Sequence, residues 1–133
     1  MPQPEYEPRV SAKAADPSLQ TIRLVQGDQV IGRARWISAV DPAEGIVQIL
    51  ELTVADPHRR AGHGRRLMEA LTDQAREHFK LRNQKLRRIW LGVDQKGQVI
   101  ARSFLMKFTF NHVGTVSHLL RDEDMLIYMR TFD

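Results

Sequence analysis

Cysteine is absent from the 133 residues. That excludes disulfides, thiolate metal sites, iron–sulfur clusters and a cysteine nucleophile. It suits a reducing compartment, and a cytoplasmic location is expected. Aromatic residues are sparse, at 7%, so the clustered rings of a base-stacking platform are missing. No apolar run approaches the roughly 20 residues of a membrane helix, and no membrane partner is expected. The start, Met1-Pro2-Gln3-Pro4-Glu5, lacks a basic stretch followed by an apolar one, so it does not read as a secretory signal. No internal repeat or low-complexity run is visible.

What is present is the material of one domain, with 42% hydrophobic and 27% charged residues. At this length about two thirds of the unfolded surface can be buried. The net charge is a modest +4, so its placement matters more than its sum. His58-Arg59-Arg60-Ala61-Gly62-His63-Gly64-Arg65-Arg66 packs four arginines and two histidines into nine residues. A second basic stretch holds Lys80, Arg82, Lys85, Arg87 and Arg88, while acids gather at Asp122, Glu123 and Asp124. A local basic focus implies an anionic partner. With no finger or RNA-recognition motif in the sequence, nucleic acid is not the expected one.

Residues 1–20 hold four of the six prolines and read as an irregular arm; residues 21–133 read as a single domain. Residues 21–25 and 30–40 are apolar runs joined by Gln26-Gly27-Asp28-Gln29, a hairpin signal. Residues 46–54 are nearly continuous in apolarity, which predicts a central strand buried on both faces. Residues 63–80 carry Leu67, Leu71, Ala75 and Phe79 at spacings of four, the strongest helix signal in the chain. A strand at 88–93, a helix at 98–108, a weak strand at 113–120 and a final strand at 125–132 complete the pattern. The order is an α/β arrangement around a mixed sheet.

The sharpest feature is the glycine turn Arg59-Arg60-Ala61-Gly62-His63-Gly64, between a strand and an amphipathic helix. The first amides of a helix have no internal acceptors, and the helix dipole places partial positive charge there. Gly62 and Gly64 would let a phosphate approach the backbone with no Cβ in the way. Arg59, Arg60 and Arg65 add charge-assisted donors. Two other phosphate loops do not fit. No Lys-Ser or Lys-Thr follows the second glycine, and no third glycine follows Gly64 by three residues.

The segment Val54-Ala55-Asp56-Pro57-His58-Arg59-Arg60-Ala61-Gly62-His63-Gly64 resembles the acetyl-CoA-binding motif of the GCN5-related N-acetyltransferases, the GNAT superfamily. Its Gln/Arg-x-x-Gly-x-Gly/Ala is filled by Arg59, Gly62 and Gly64. The segment around Gln98, Ala101, Arg102, Phe104, Leu105 and Phe110 is similar to a second family motif. It departs from it at Gln98 for Asn, Leu105 for Tyr and Thr109 for Gly. The resemblance spans residues 20–133. It implies a GNAT-like mixed, mostly antiparallel sheet flanked by helices. The N-terminal helical region is shortened: most members carry one or two helices between their first strands, and residues 1–20 leave little room for both.

The implied reaction moves an acetyl group from acetyl-CoA to a primary amine of a small molecule or protein, by direct attack in a ternary complex. The resemblance implies cofactor contacts from Leu52, Val54, Arg59, Arg60, Ala61, Gly62, His63, Gly64, Arg65, Gln98 and Arg102. Strand residues 50–54 and 89–93 would part to hold the pantetheine arm. A free amine with a pKa near 10.4 is almost wholly protonated at pH 7, so a base or water chain helps. Glu51, inside an otherwise apolar strand, is the candidate base, since burial would raise its pKa into a useful range. Gln48 stands where some members carry a catalytic Glu. Leu105 cannot protonate the leaving thiolate as the family's tyrosine does, which costs roughly 2 kcal/mol for a thiol of pKa about 8.5. Tyr128 or Ser103 could substitute. The alternative reading is a non-catalytic acetyl-CoA-binding regulatory module. The five histidines show no zinc spacing. Trp36 and Trp90 are expected to fill the core or line a pocket, and Met106, Met125 and Met129 read as packing residues. The shortened N-terminal region leaves sheet surface that a homodimer could use.

Overall fold

The seven-stranded sheet is built around a parallel pair joined through a helix. The chain runs β1 (Glu7–Val10), β2 (Leu19–Gln26), β3 (Gln29–Ser38), β4 (Ile46–Val54), α1 (His63–Lys80), β5 (Arg88–Asp94), α2 (Val99–Lys107), β6 (Asn111–Leu120) and β7 (Glu123–Thr131). A computed structural model describes residues 7–10, 19–39, 42–55, 62–94, 99–120 and 123–132. The sheet order is β1-β2-β3-β4-β5-β7-β6. Of the neighbouring strands only β4 and β5 pair in parallel, because α1 carries the chain back to the same end; α2 likewise returns β6 in the direction of β5, but β7 lies between them.

Helix α1 spans the residues its periodicity predicts. Leu67, Met68, Leu71, Ala75 and Phe79 are fully buried, and they face a surface made by Ile22, Leu24, Ala34, Trp36, Val47, Ile49 and Ile89. Alternation along the strands decides which side this is. On β3, a Cβ at Gly32 would lie 2.9 Å from Leu67 Cδ1, and the Trp36 indole N–H donates to Gln74 Oε1 at 2.8 Å. Gly32, Ala34 and Trp36 therefore face α1, and Arg33 and Arg35 point to the opposite side. Helix α2 packs on the α1 side through Phe104, whose ring lies close to Gly64.

Three expectations need correcting. Residues 7–10 belong to a strand rather than an irregular arm, and β2 already begins at Leu19. Glu-Pro-Arg-Val carries too little apolar signal to be read as a strand. It is held by antiparallel pairing with β2, at the edge of the sheet where a proline is tolerated. Second, β4 is central but covered on one face only. Val47 and Ile49 are buried, whereas Leu50 is 47% exposed. Its continuous apolarity is shared with an open trough of about 610 Å³ on the far face, lined by Ile46, Arg88, Trp90, Ile127 and Met129. Third, Met106 does not pack in the core but is exposed. Residues 11–18, between β1 and β2, where the shortened helical region is expected, lie outside the described residues.

His78 sits beside the core, edge-on to Trp36 at 5.5 Å and to Phe79 at 5.0 Å between ring centroids. Arg82 Nη1 lies 3.3 Å from its Nδ1 and donates to its carbonyl at 2.7 Å. Burial first, and then the Arg82 charge, lower the His78 pKa below the usual histidine value. The native state therefore takes up this proton later than the unfolded chain. The stability His78 contributes is complete above about pH 6.5 and falls as the pH drops below that value toward the native pKa. Thermal melts of His78→Gln should vary less between pH 5 and 7 than those of the wild type. Equal slopes would rule out this origin.

Candidate functional site

Two features meet at the C-terminal end of β4. The first is a gap in the sheet. β4 and β5 pair only through Ile46↔Arg88, Val47↔Ile89 and Gln48↔Trp90. Beyond Gln48 the two strands part, and β5 continues on β7 alone as far as Asp94↔Met125. A bulge accompanies the parting. Arg35 is opposite Glu51 and Trp36 is opposite Ile49, leaving Leu50 as the extra residue. Such a bulge bends and twists the strand locally, which turns the end of β4 away from β5. The gap between residues 50–54 and the end of β5 is where the pantetheine arm is expected. The first two residues of the expected β5 segment, Ile89 and Trp90, are instead still paired to β4.

The second feature is the open end of α1. Gly62 precedes the helix with φ +81° and ψ 7°, and no side chain caps it. That left-handed conformation costs an L-residue roughly 1–2 kcal/mol, so glycine is required on backbone grounds. A Cβ at Gly62 would meet nothing within 4 Å. Among the described residues, nothing therefore crowds this side of the Gly62 backbone. Arg66 N–H donates to Gly62 O at 3.1 Å, which starts the helical ladder and leaves the earlier amides of the turn aimed out of the helix end. At Gly64 a Cβ would lie 3.2 Å from the Phe104 ring, so a small residue lets α2 close on the first turn of α1. An open, uncapped, dipole-positive helix end beside a gap between two strands suits a diphosphate followed by an extended thioester arm.

Among the expected cofactor residues, Leu52 and Val54 lie in the last residues of strand β4 beyond the bulge, opposite Ala34 and Gly32. His63 is buried, Gly64 half-buried and Arg65 exposed, with Arg65 Nε 3.5 Å from Glu69 Oε1. Arg59, Arg60, Ala61 and Gln98 lie outside the described residues, and Arg102 is described only as part of α2. Leu105 is 1% exposed, a core residue that closes the space under α2. Tyr128 is buried in the sheet beside His112, their ring centroids 5.6 Å apart. Ser103 is exposed. Among the described residues no group of three or more His, Asp or Glu could hold a metal ion. None of their helices is long and apolar enough to cross a membrane.

Glu51 is not in the apolar setting expected of it. It points away from α1 with its side chain 23% exposed, and Arg33 grips it in a fork. Arg33 Nε donates to Oε1 at 2.9 Å and Nη2 to Oε2 at 3.0 Å. Thr53 Oγ1 lies 3.5 Å from Oε2. The hydrogen bond to Glu51, and then its charge, raise the Arg33 pKa. Reading β4 alone misses this partner, which comes from the neighbouring strand 18 residues earlier. The alternation Arg33-Ala34-Arg35 was the available signal: it marks a strand with one charged face.

The family model for the acetyltransferase (GNAT) family matches residues 2–110. No curated protein matches the chain. Among solved structures, the chain is similar to the ribosomal-protein-S18-alanine N-acetyltransferase of Escherichia coli (18% identity, TM-score 0.71, covering 87% of this chain and 70% of that one). It is also similar to Ard1 from Thermoplasma volcanium (19%, 0.70, 88% and 72%). A Bacillus anthracis protein assigned as a streptothricin acetyltransferase, solved with acetyl coenzyme A, is similar as well (22%, 0.71, 90% and 66%). At these identities the structures speak for the fold, while the sequence model over most of the chain speaks for membership. The chain belongs to the acetyltransferase (GNAT) family, whose co-substrate is acetyl-CoA.

Proposed function

We propose that this acetyltransferase is an N-acetyltransferase, moving the acetyl group to a primary amine by direct attack while both substrates are bound. The observation that carries the reading is the adjacency of the open α1 end and the β4–β5 gap. The turn at Gly62, His63, Gly64 and Arg65, with Arg59, Arg60 and Ala61 before it, holds the diphosphate. The edge of β4 at Leu52 and Val54 lines the arm. Gln98 and Arg102 complete the proposed set of cofactor contacts. Acetyl-CoA supplies the activated acyl group. The amine lone pair forms the C–N bond, the C–S bond breaks, and its electron pair leaves on sulfur.

Glu51 is the proposed acceptor of the amine proton, through a water. The Arg33 fork fixes its orientation rather than leaving it to solvent. Glu51→Gln keeps the shape and one acceptor oxygen but removes the base. Turnover should fall by about 100-fold, with acetyl-CoA affinity unchanged, as read by thiol release and calorimetry. A loss under threefold would remove Glu51 from this role. Binding of acetyl-CoA by calorimetry, followed by thiol release across an amine panel, tests the function itself.

A second reading is supported by Leu105. Its side chain is buried and has no proton to give, so no residue at that position serves the departing sulfur. In this reading the chain binds acetyl-CoA as a regulatory module without transfer. Tight acetyl-CoA binding with no thiol release for any amine would favour it, and robust turnover would exclude it.

A further inference from the structure

The open face of the sheet carries a row of like charges that folding does not explain. Arg23 on β2 is directly opposite Arg33 on β3, and Arg9 on β1 holds the register position beside Arg23. Arg35 follows Arg33 by one pleat and is directly opposite Glu51 on β4. Like charges directly opposite one another destabilise a strand pair. Arg23 is exposed and Arg35 half-buried. Among the described residues, the salt bridges are those of Arg33 with Glu51 and Arg65 with Glu69. Among the described side chains, neither Arg23 nor Arg35 has a carboxylate within salt-bridge distance, and the carboxylate of Glu51, on the strand opposite Arg35, is held by Arg33. The row lies on the face away from α1 and α2 and ends one strand short of the β4–β5 gap.

We infer that Arg23 and Arg35 are an acceptor-recognition site for an acidic peptide, whose amine they deliver to the gap. The inference rests on the transfer reading above. The structure indicates the anion class: the one acid seated on the row, Glu51 on Arg33, is a carboxylate held in a two-point fork. Spacing indicates a peptide. Neighbouring strands are about 4.8 Å apart and successive same-face residues about 6.8 Å apart. Arg23 and Arg35 are diagonal neighbours, about 8 Å apart on these spacings, and their long side chains reach carboxylates two residues apart on an extended chain, which repeat at about 6.8 Å. From Arg35 to the gap is one further strand, a reach of about 5 Å. The N-terminal amine of such a peptide would therefore arrive beside Glu51 while its acidic side chains lie on the arginines.

The test compares three peptides that share an N-terminal alanine and differ only in the next four residues: Glu, Gln or Lys. Thiol release is measured for each with wild type and with the Arg23→Gln/Arg35→Gln double variant. Labelled-peptide anisotropy is measured in parallel on the protein saturated with CoA. The acidic peptide should be used at least about tenfold better than the neutral one, and the preference should shrink in 0.5 M salt. In the double variant the preference should fall below twofold, while acetyl-CoA affinity holds. Its melting temperature should not drop, because Arg23→Gln relieves a like-charge pair. Failure of the transfer reading looks different: no peptide releases thiol, yet the acidic peptide still binds through the two arginines. The site assignment is overturned if neutral or basic peptides bind or react equally well. It is also overturned if the acidic preference survives the double substitution, or if a single-stranded RNA oligonucleotide competes for the row as strongly as the acidic peptide.

Discussion

Acetyl-CoA affinity is expected to fall by at least about 100-fold in Gly62→Val. Two effects combine. A β-branched residue at φ +81° strains the turn, and its side chain fills the open space from which the diphosphate approaches. Loss of two charge-assisted contacts, at about 1.5 kcal/mol each, is about 3 kcal/mol, or roughly 150-fold. Gly27 supplies the control. It has φ +61° with nothing within 4 Å of its would-be Cβ, but it sits in the β2–β3 turn, between strands that lie on the other side of β4 from the gap. Gly27→Val should cost similar thermal stability and leave acetyl-CoA binding intact. Calorimetric titration of both variants separates strain from recognition. If Gly62→Val binds within fivefold of wild type, the helix end does not hold the cofactor.

Trp36→Ala should lower stability by about 4 kcal/mol, a fall in melting temperature of roughly 12–16 °C for a domain of this size. Trp36 is fully buried. It fills the space between β3 and α1, meets His78 edge-on and ties α1 to the sheet through Gln74. Trp36→Phe keeps most of the ring but loses that donor. It should cost only about 1–2 kcal/mol, since half-buried Gln74 can turn to water. A melt of Trp36→Ala within 3 °C of wild type would show that the helix–sheet interface does not depend on this side chain.

Legibility followed the range of the interaction responsible. Helix α1 was readable to its ends because its stripe is local: Leu67, Leu71, Ala75 and Phe79 repeat every four residues and all are buried. The glycine turn was readable because backbone conformation and helix dipole are properties of neighbouring residues. Strand β1 was not, because an edge strand of four residues is held by its partner's backbone rather than by its own apolar pattern. The one-sided burial of β4 was not legible either. A run such as Ile46-Val47-Gln48-Ile49-Leu50 satisfies a two-sided core, or a one-sided core beside an apolar trough, equally well.

By itself the sequence determined the α/β alternation, the helix α1 and the glycine turn at which it starts. These follow from local periodicity and from backbone geometry that only glycine adopts cheaply. Tertiary structure alone decided that β4 and β5 part after Gln48, that Arg33 holds Glu51, and that an arginine row crosses the uncovered face. Each depends on the register between strands far apart in the chain, and a one-residue slip would send every one of those side chains to the other side.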